Sequence, residues 1–336
     1  MAIPPPPPLS SYGPFTLVAA GTFCNVYISH NPVYSNHAFK VVKPTEPSDL
    51  QANIDIRNEV ALLRTLTHVA GTPTVLLEGQ TLDSRFYFST NYLPTTLDDR
   101  LQTPSPIATR LRYALSLATI VKSLHELSNP VLHRDLKPAN IGFDRAGQMI
   151  LFDFGLATTV CPPRSQNPLR EQSPRSEQSP RSSLLAPPPL LRAPSGSDAT
   201  SPRPQLPHSH LYSLTTSTGT LRYMAPEVAH GRPYGLSAEA WSFGTVLWEC
   251  LAQRLPYKGK DEVFMHNEVF VKGGYRLTVP SEDRSLVALV GNCWEFDEGK
   301  RWAMRDIVRE LTVAVERQEK REERAAEEGC CCCGVS

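Results

Sequence analysis

The chain has 336 residues, with 34 lysines and arginines against 34 aspartates and glutamates, so no whole-chain field draws it to nucleic acid or another polyanion. That length exceeds one average domain and suffices for a large buried core. No uninterrupted apolar run approaches the roughly 18 residues needed to cross a bilayer, and the first residues lack both the positive and the apolar segment of a secretory signal, so neither spanning nor secretion is expected.

Pro4 to Pro8 form a polyproline II arm, read as a solvated tail over residues 1–11. Short β-rich runs follow at Thr16 to Val18, Val26 to Ser29, Ala38 to Val42, Thr74 to Leu77 and Phe86 to Thr90. Between the third and fourth lies a helix, Leu50 to Leu66, with Ile54, Val60, Leu63 and Leu66 on its apolar face. Ile107, Leu111, Ala114, Leu115, Ala118, Val121 and Leu124 recur at three- and four-residue intervals, which marks a second helix with a buried face. The stretch from about Pro162 to Pro207 is crowded with proline, serine and arginine and carries the duplication Glu171–Ser176, Glu177–Ser182. Such a composition buries too little apolar surface to fold, so a disordered insert is expected. Later helices are expected at Ala238 to Ala252, Asp261 to Phe270, Leu286 to Cys293 and from Arg305 onward, the last ending in a charged run, Glu316 to Glu328, read as a solvated face. Cys24, Cys161, Cys250 and Cys293 are scattered, without zinc-site spacing, and read as packing residues.

The chemistry is concentrated in His133-Arg134-Asp135-Leu136-Lys137-Pro138-Ala139-Asn140, followed by Asp153-Phe154-Gly155 and then Ala225-Pro226-Glu227. Asp and Asn are common turn residues when taken singly. In this joint order they supply what moving a γ-phosphoryl group needs: one carboxylate to orient a hydroxyl, and a carboxylate and an amide oxygen for magnesium. From about Phe15 to about Val315, with one interruption, the chain resembles the protein kinase superfamily.

The resemblance implies an α+β, two-lobed fold: a small lobe of five strands and one main helix at 12–93, and a larger, mainly helical lobe at 94–315 that carries the insert at 162–207. A charged helix and Cys-rich tail occupy 316–336. It implies ATP and Mg2+, with Ala19, Gly21, Phe23, Val26, Ala38, Lys40, Glu59, Thr90, Asn91, Tyr92 and Leu93 around the nucleotide. Lys40 would reach the α- and β-phosphates and pair with Glu59, Thr90 would gate the deeper pocket, and Tyr92-Leu93-Pro94 would connect the lobes. Asp135 would be the catalytic base, Lys137 would steady the moving phosphoryl, and Asn140 and Asp153 would hold the metal. Glu227 is expected to form a buried ion pair with Arg301. Lys137, with Gly219-Thr220 ahead of Ala-Pro-Glu, resembles serine/threonine kinases, and Trp241 to Glu249 with Cys293-Trp294 resembles the tyrosine-kinase-like group. The implied partners are a protein bearing serine or threonine and an upstream kinase, in a reducing, cytoplasmic setting.

Three departures leave two alternatives open, a silent scaffold and a nucleotide-gated switch. Residues 19–26 read Ala-Ala-Gly-Thr-Phe-Cys-Asn-Val, where the family has three glycines. Glu239 replaces the family's aspartate under the catalytic loop, its extra methylene to be absorbed by local shifts, and Gly142 replaces an apolar side chain beneath adenine, which implies looser packing. Regulation is expected at Arg134, through a phosphate on the segment after Asp153, with Thr216 the first candidate and Thr215, Ser217 and Thr218 its neighbours; Thr220 would lie against Asp135 and Lys137. Ser173, Ser179 and Ser201 precede proline, so the insert reads either as a phosphorylation-controlled gate or as a tolerated insertion. Cys333-Gly334-Val335-Ser336 fits a prenylation box, and Cys330, Cys331 and Cys332 are offered for palmitoylation. Together they would give peripheral membrane association; the alternative is an unmodified tail.

Overall fold

The computed structural model describes residues 8–21, 23–44, 49–160 and 220–331. The insert with Ser173, Ser179 and Ser201, the Thr215–Thr218 cluster, most of the proline arm, Cys161, Cys332 and Cys333, and the side chains of Cys330 and Cys331 lie outside the described residues.

The small lobe is an antiparallel sheet of β1 (Phe15–Ala20), β2 (Cys24–Ser29), β3 (His37–Val42), β4 (Leu77–Gln80) and β5 (Phe86–Asn91), in the order β1-β2-β3-β5-β4. Strand alternation divides β3 between two environments. Phe39 and Val41 join Tyr12 and Tyr87 in an outer aromatic cluster, while Ala38, Lys40 and Val42 face the other way, toward α1 (Asp49–Thr65) and the second lobe. The register pairs Val26 with Lys40, Ile28 with Ala38 and Ala38 with Thr90, so these residues share the inner face.

Two expectations shift here. The fourth strand begins at Leu77 rather than Thr74, because its pairing with β5 runs from Leu77 opposite Ser89 to Gln80 opposite Phe86. Gly79 lies within it because the Tyr87 ring fills its side-chain space; a Cβ there would lie 2.6 Å from the Tyr87 hydroxyl. The buried face of α1 is Ala52, Ile56, Val60 and Leu63, whereas Ile54 is 41% exposed. At about 100° per residue, Ile54 sits roughly 120° around the helix from Val60, and Ile56 only about 40°.

The large lobe begins with β6 (Thr95–Thr96), α2 (Leu97–Leu101) and α3 (Ile107–His125). Leu111, Ala114, Ala118, Val121 and Leu124 of α3 are buried as expected, but Ile107, at the helix's first position, is 37% exposed and Leu115 only partly buried. Then come β7 (Val131–Leu132), β8 (Ile141–Phe143), β9 (Met149–Leu151) and β10 (Thr158–Thr159), with β6-β8-β9 forming one small sheet and β10-β7 another. After the insert lie α4 (Pro226–Ala229), α5 (Ser237–Ala252), α6 (Glu262–Phe264), α7 (Arg284–Cys293) and α8 (Met304–Cys331). α6, capped at its start by Asp261 accepting from Phe264 N, is shorter than expected because the chain widens into a π-helix, Met265–Val271, directly after it.

α5 is apolar around most of its circumference and is the buried centre of the lobe. Gly244 lets it approach the end of α7: a Cβ there would lie 2.5 Å from Cys293 Cβ. The charged end of α8 is not simply solvated. Arg112 of α3 pairs with Glu319, and Arg317 and Arg321 reach Asp283, the N-cap of α7. Among the described residues no helix is long and apolar enough to cross a membrane.

Candidate active site

Lys40 projects from the inner face of β3 and meets a carboxylate from each side. Its Nζ lies 2.8 Å from Glu59 Oε2 on α1 and 2.7 Å from Asp153 Oδ1. Burial alone would pull the Lys40 pKa down, but the two carboxylates outweigh it and the pKa is raised. Burial pushes Glu59 up against the opposing pull of Lys40. For Asp153 burial is overcome by Lys40, and the carboxyl titrates below its usual range.

The second cluster lies on the loop between β7 and β8. Asp135 Oδ1 accepts from the amide and hydroxyl of Thr220 at 3.0 and 2.9 Å, and Oδ2 accepts from Lys137 Nζ at 2.6 Å and Asn140 Nδ2 at 2.9 Å. Lys137 also donates to Thr220 Oγ1 at 2.9 Å. Arg134 and Asp153 have φ of 68° and 63°, left-handed values that side-chain-bearing residues rarely adopt and that the surroundings must impose.

What imposes them at Arg134 is Glu239. Its Oε1 accepts from Arg134 N at 2.7 Å and its Oε2 lies 2.7 Å from His125 Nε2, so the longer acid braces the loop and engages the end of α3 together. Burial would raise its pKa, but the His125 bond and the Arg134 amide keep it low. His133 is fully buried, and burial depresses its pKa. A neutral ring fits its contacts: Nδ1 accepts from Asp135 N at 3.3 Å and Nε2 donates to Phe152 O at 2.9 Å. Phe154 packs edge-on against it at 4.8 Å. His125 was not singled out from the sequence; a histidine on a helix end carries no local signal, and only its meeting with Glu239 gives it a role.

The remaining expected residues divide by place. Val26, Ala38 and Thr90 line the inner sheet face, partly buried. Ala19, Gly21 and Phe23 are exposed at the β1–β2 turn, which Gly21 N closes onto Cys24 O at 2.9 Å. Asn91 is exposed at the end of β5, and the Tyr92 amide donates to Asn36 O at 2.7 Å. Arg134 Nε donates to Leu156 O at 2.5 Å and its guanidinium reaches Tyr234 Oη at 3.3 Å. The side-chain space at Gly142 is not empty, because Leu93 occupies it: a Cβ at 142 would lie 2.5 Å from Leu93 Cδ1.

The donor set fits magnesium. With Asn140 Nδ2 directed at Asp135, its Oδ1 and the half-exposed Asp153 carboxylate are hard oxygen donors that could hold such a cation. Among the described residues there is no cluster of three or more His, Cys, Asp or Glu that would cage a metal. Two protein ligands suit a cation that keeps water and phosphate oxygens in its shell.

A model of the protein kinase domain matches residues 14–174, and a model of protein tyrosine and serine/threonine kinases matches residues 203–311. Serine/threonine-protein kinase STY46 of Arabidopsis thaliana is 26% identical over 296 residues, covering 87% of this chain and 40% of that protein. Serine/threonine-protein kinase VIK of the same plant is 26% identical, with 87% and 56% covered. Dual specificity protein kinase shkC of Dictyostelium discoideum is 26% identical, with 76% and 42% covered. The chain spans about half the length of the curated relatives it matches.

Proposed function

The chain belongs to the protein kinase family, serine/threonine type and nearest the tyrosine-kinase-like group, and from that premise we propose that it transfers the γ-phosphoryl group of ATP to serine or threonine hydroxyls of a protein. The observation that carries the reading is the convergence of two clusters from distant parts of the chain: Lys40–Glu59–Asp153, and Asp135–Lys137–Asn140–Thr220.

In this reading Lys40, kept cationic by its two carboxylates, holds the nucleotide phosphates, and Glu59 fixes its direction. Asn140 and Asp153 would hold magnesium, which would supply charge neutralisation at the phosphates. Asp135 orients the incoming hydroxyl and accepts its proton, and Lys137 steadies charge on the transferred group. Thr220 sets the position of both by bonding to each.

A second reading, a silent or nucleotide-gated scaffold, is favoured by one feature: the lysine expected on phosphate and the acid expected on metal are bonded to each other, beneath a glycine-poor turn. The test measures MgATP binding, and phosphate transfer to the chain itself and to a generic basic protein, for wild type and Asp153→Asn. Transfer that appears on serine or threonine and falls by at least roughly a hundredfold in the variant supports the kinase. Binding without transfer across several phosphorylation states supports the scaffold.

A further inference from the structure

Gly142 and Leu93 compete for one volume. Gly142 is the middle residue of β8, paired with Thr96 of β6 and Ile150 of β9. Its neighbours Ile141 and Phe143 are buried in the helical core, 0% and 2% exposed. Alternation therefore turns the side-chain direction of residue 142 the opposite way, toward the cleft between the lobes. A Cβ there would lie 2.5, 2.9 and 3.2 Å from Leu93 Cδ1, Cβ and Cγ, distances at which the two side chains exclude each other. Glycine inside a strand forgoes packing and costs backbone entropy, and close approach of another group is the physical circumstance that calls for it. Here that group is Leu93, which is only partly buried and so keeps some of its apolar surface free. Across the cleft Val26 and Ala38 share their sheet face with Lys40.

We propose that the Leu93 side chain, rather than residue 142, forms the apolar floor on which the base of the nucleotide rests, and that Gly142 is required to admit it. This rests on the ATP reading above. Leucine carbons beneath a flat base and Val26 and Ala38 above it make an apolar slot with few polar demands. Such a contact is made alike in ground and transition states, so its loss raises KM and leaves kcat nearly unchanged.

The test uses the full chain and compares MgATP with magnesium tripolyphosphate, which has no base, for wild type, Leu93→Ala, Gly142→Val and the double variant. Each single change is expected to weaken MgATP binding by roughly tenfold and leave tripolyphosphate unaffected, while the double recovers to within roughly threefold of wild type. If Gly142→Val does not fold, judged by its melting transition, Gly142→Ala replaces it, since even that Cβ must displace Leu93. Unchanged MgATP binding in Leu93→Ala, or single effects that simply add in the double, overturns the floor and leaves the nucleotide reading standing. A folded wild type that binds no MgATP overturns both.

Discussion

Two buried glutamates on α5 are driven in opposite directions by their neighbours. At Glu239 the cost of burial is overcome by His125 and the Arg134 amide, so the acid stays charged and holds the catalytic loop. At Glu249 burial wins against the Tyr223 hydroxyl, 2.7 Å away, and pushes the carboxyl from its ordinary 4.5 up to about 7. A folded pKa above the unfolded one means that the native state binds more protons across that window, so this group's contribution to stability falls as pH rises from about 4.5 through 7. Glu249→Gln keeps an acceptor for Tyr223 and removes the titration. The change in unfolding free energy between pH 5 and pH 8 is expected to differ between wild type and variant by on the order of 2 kcal/mol, read from urea curves at the two pH values. Superimposable pH dependence in the two proteins would defeat this account.

At the scale of elements, α8 completes α3. The N-cap position of α3 is Pro106, which offers no side-chain acceptor, and the orphan amide of Ala108 instead donates to Glu322 Oε1 at 3.0 Å. An acid at that end also suits the positive pole of the helix. Glu322→Ala is expected to cost about 1 kcal/mol, the scale of a lost N-cap, with Glu322→Gln costing less because an oxygen acceptor remains. Equal stability of all three proteins in urea denaturation would show the contact to be idle. The charged run of α8 has the composition of a solvated face. Its partners on α3 lie at |i−j| of 207 and 214 and its partner Asp283 at 34 and 38, all beyond the reach of any local pattern.

Across the whole molecule, buried charge pairs and surface pairs differ in consequence. Arg301, whose side chain is 0% exposed, forks onto Glu227 at 2.5 and 2.8 Å and donates to Ser237 O and Glu295 O as well, tying α4, α5 and the end of α7 together. Glu227→Ala strands a buried guanidinium and is expected to destabilise the protein by about 3–5 kcal/mol. Arg309, more than half exposed beside Asp306 and Glu310, is its control; Arg309→Ala is expected to leave the unfolding midpoint close to that of wild type. Both are read from guanidinium unfolding, and comparable losses in the two variants would contradict the ranking.

The order of His133 to Asn140, Asp153 to Gly155 and Ala225 to Glu227 carried the resemblance to the family, because phosphoryl transfer demands particular side chains in a particular order along one chain, and the two lobes and the pairs Lys40–Glu59 and Glu227–Arg301 followed as what that resemblance implies. Helices and strands were legible to within a few residues wherever periodicity was strong. Where it failed, as at Ile54 and the fourth strand, the phase of α1 and the pairing with β5 decided the outcome. The departures could be located in the sequence but not interpreted there. Whether Gly142 leaves a hole depends on Leu93, and whether Glu239 disturbs the loop depends on His125. Motifs are visible in sequence because chemistry constrains nearby positions directly, whereas the way a substitution is absorbed depends on which distant side chain lies within a few ångströms, and only the tertiary structure decides that.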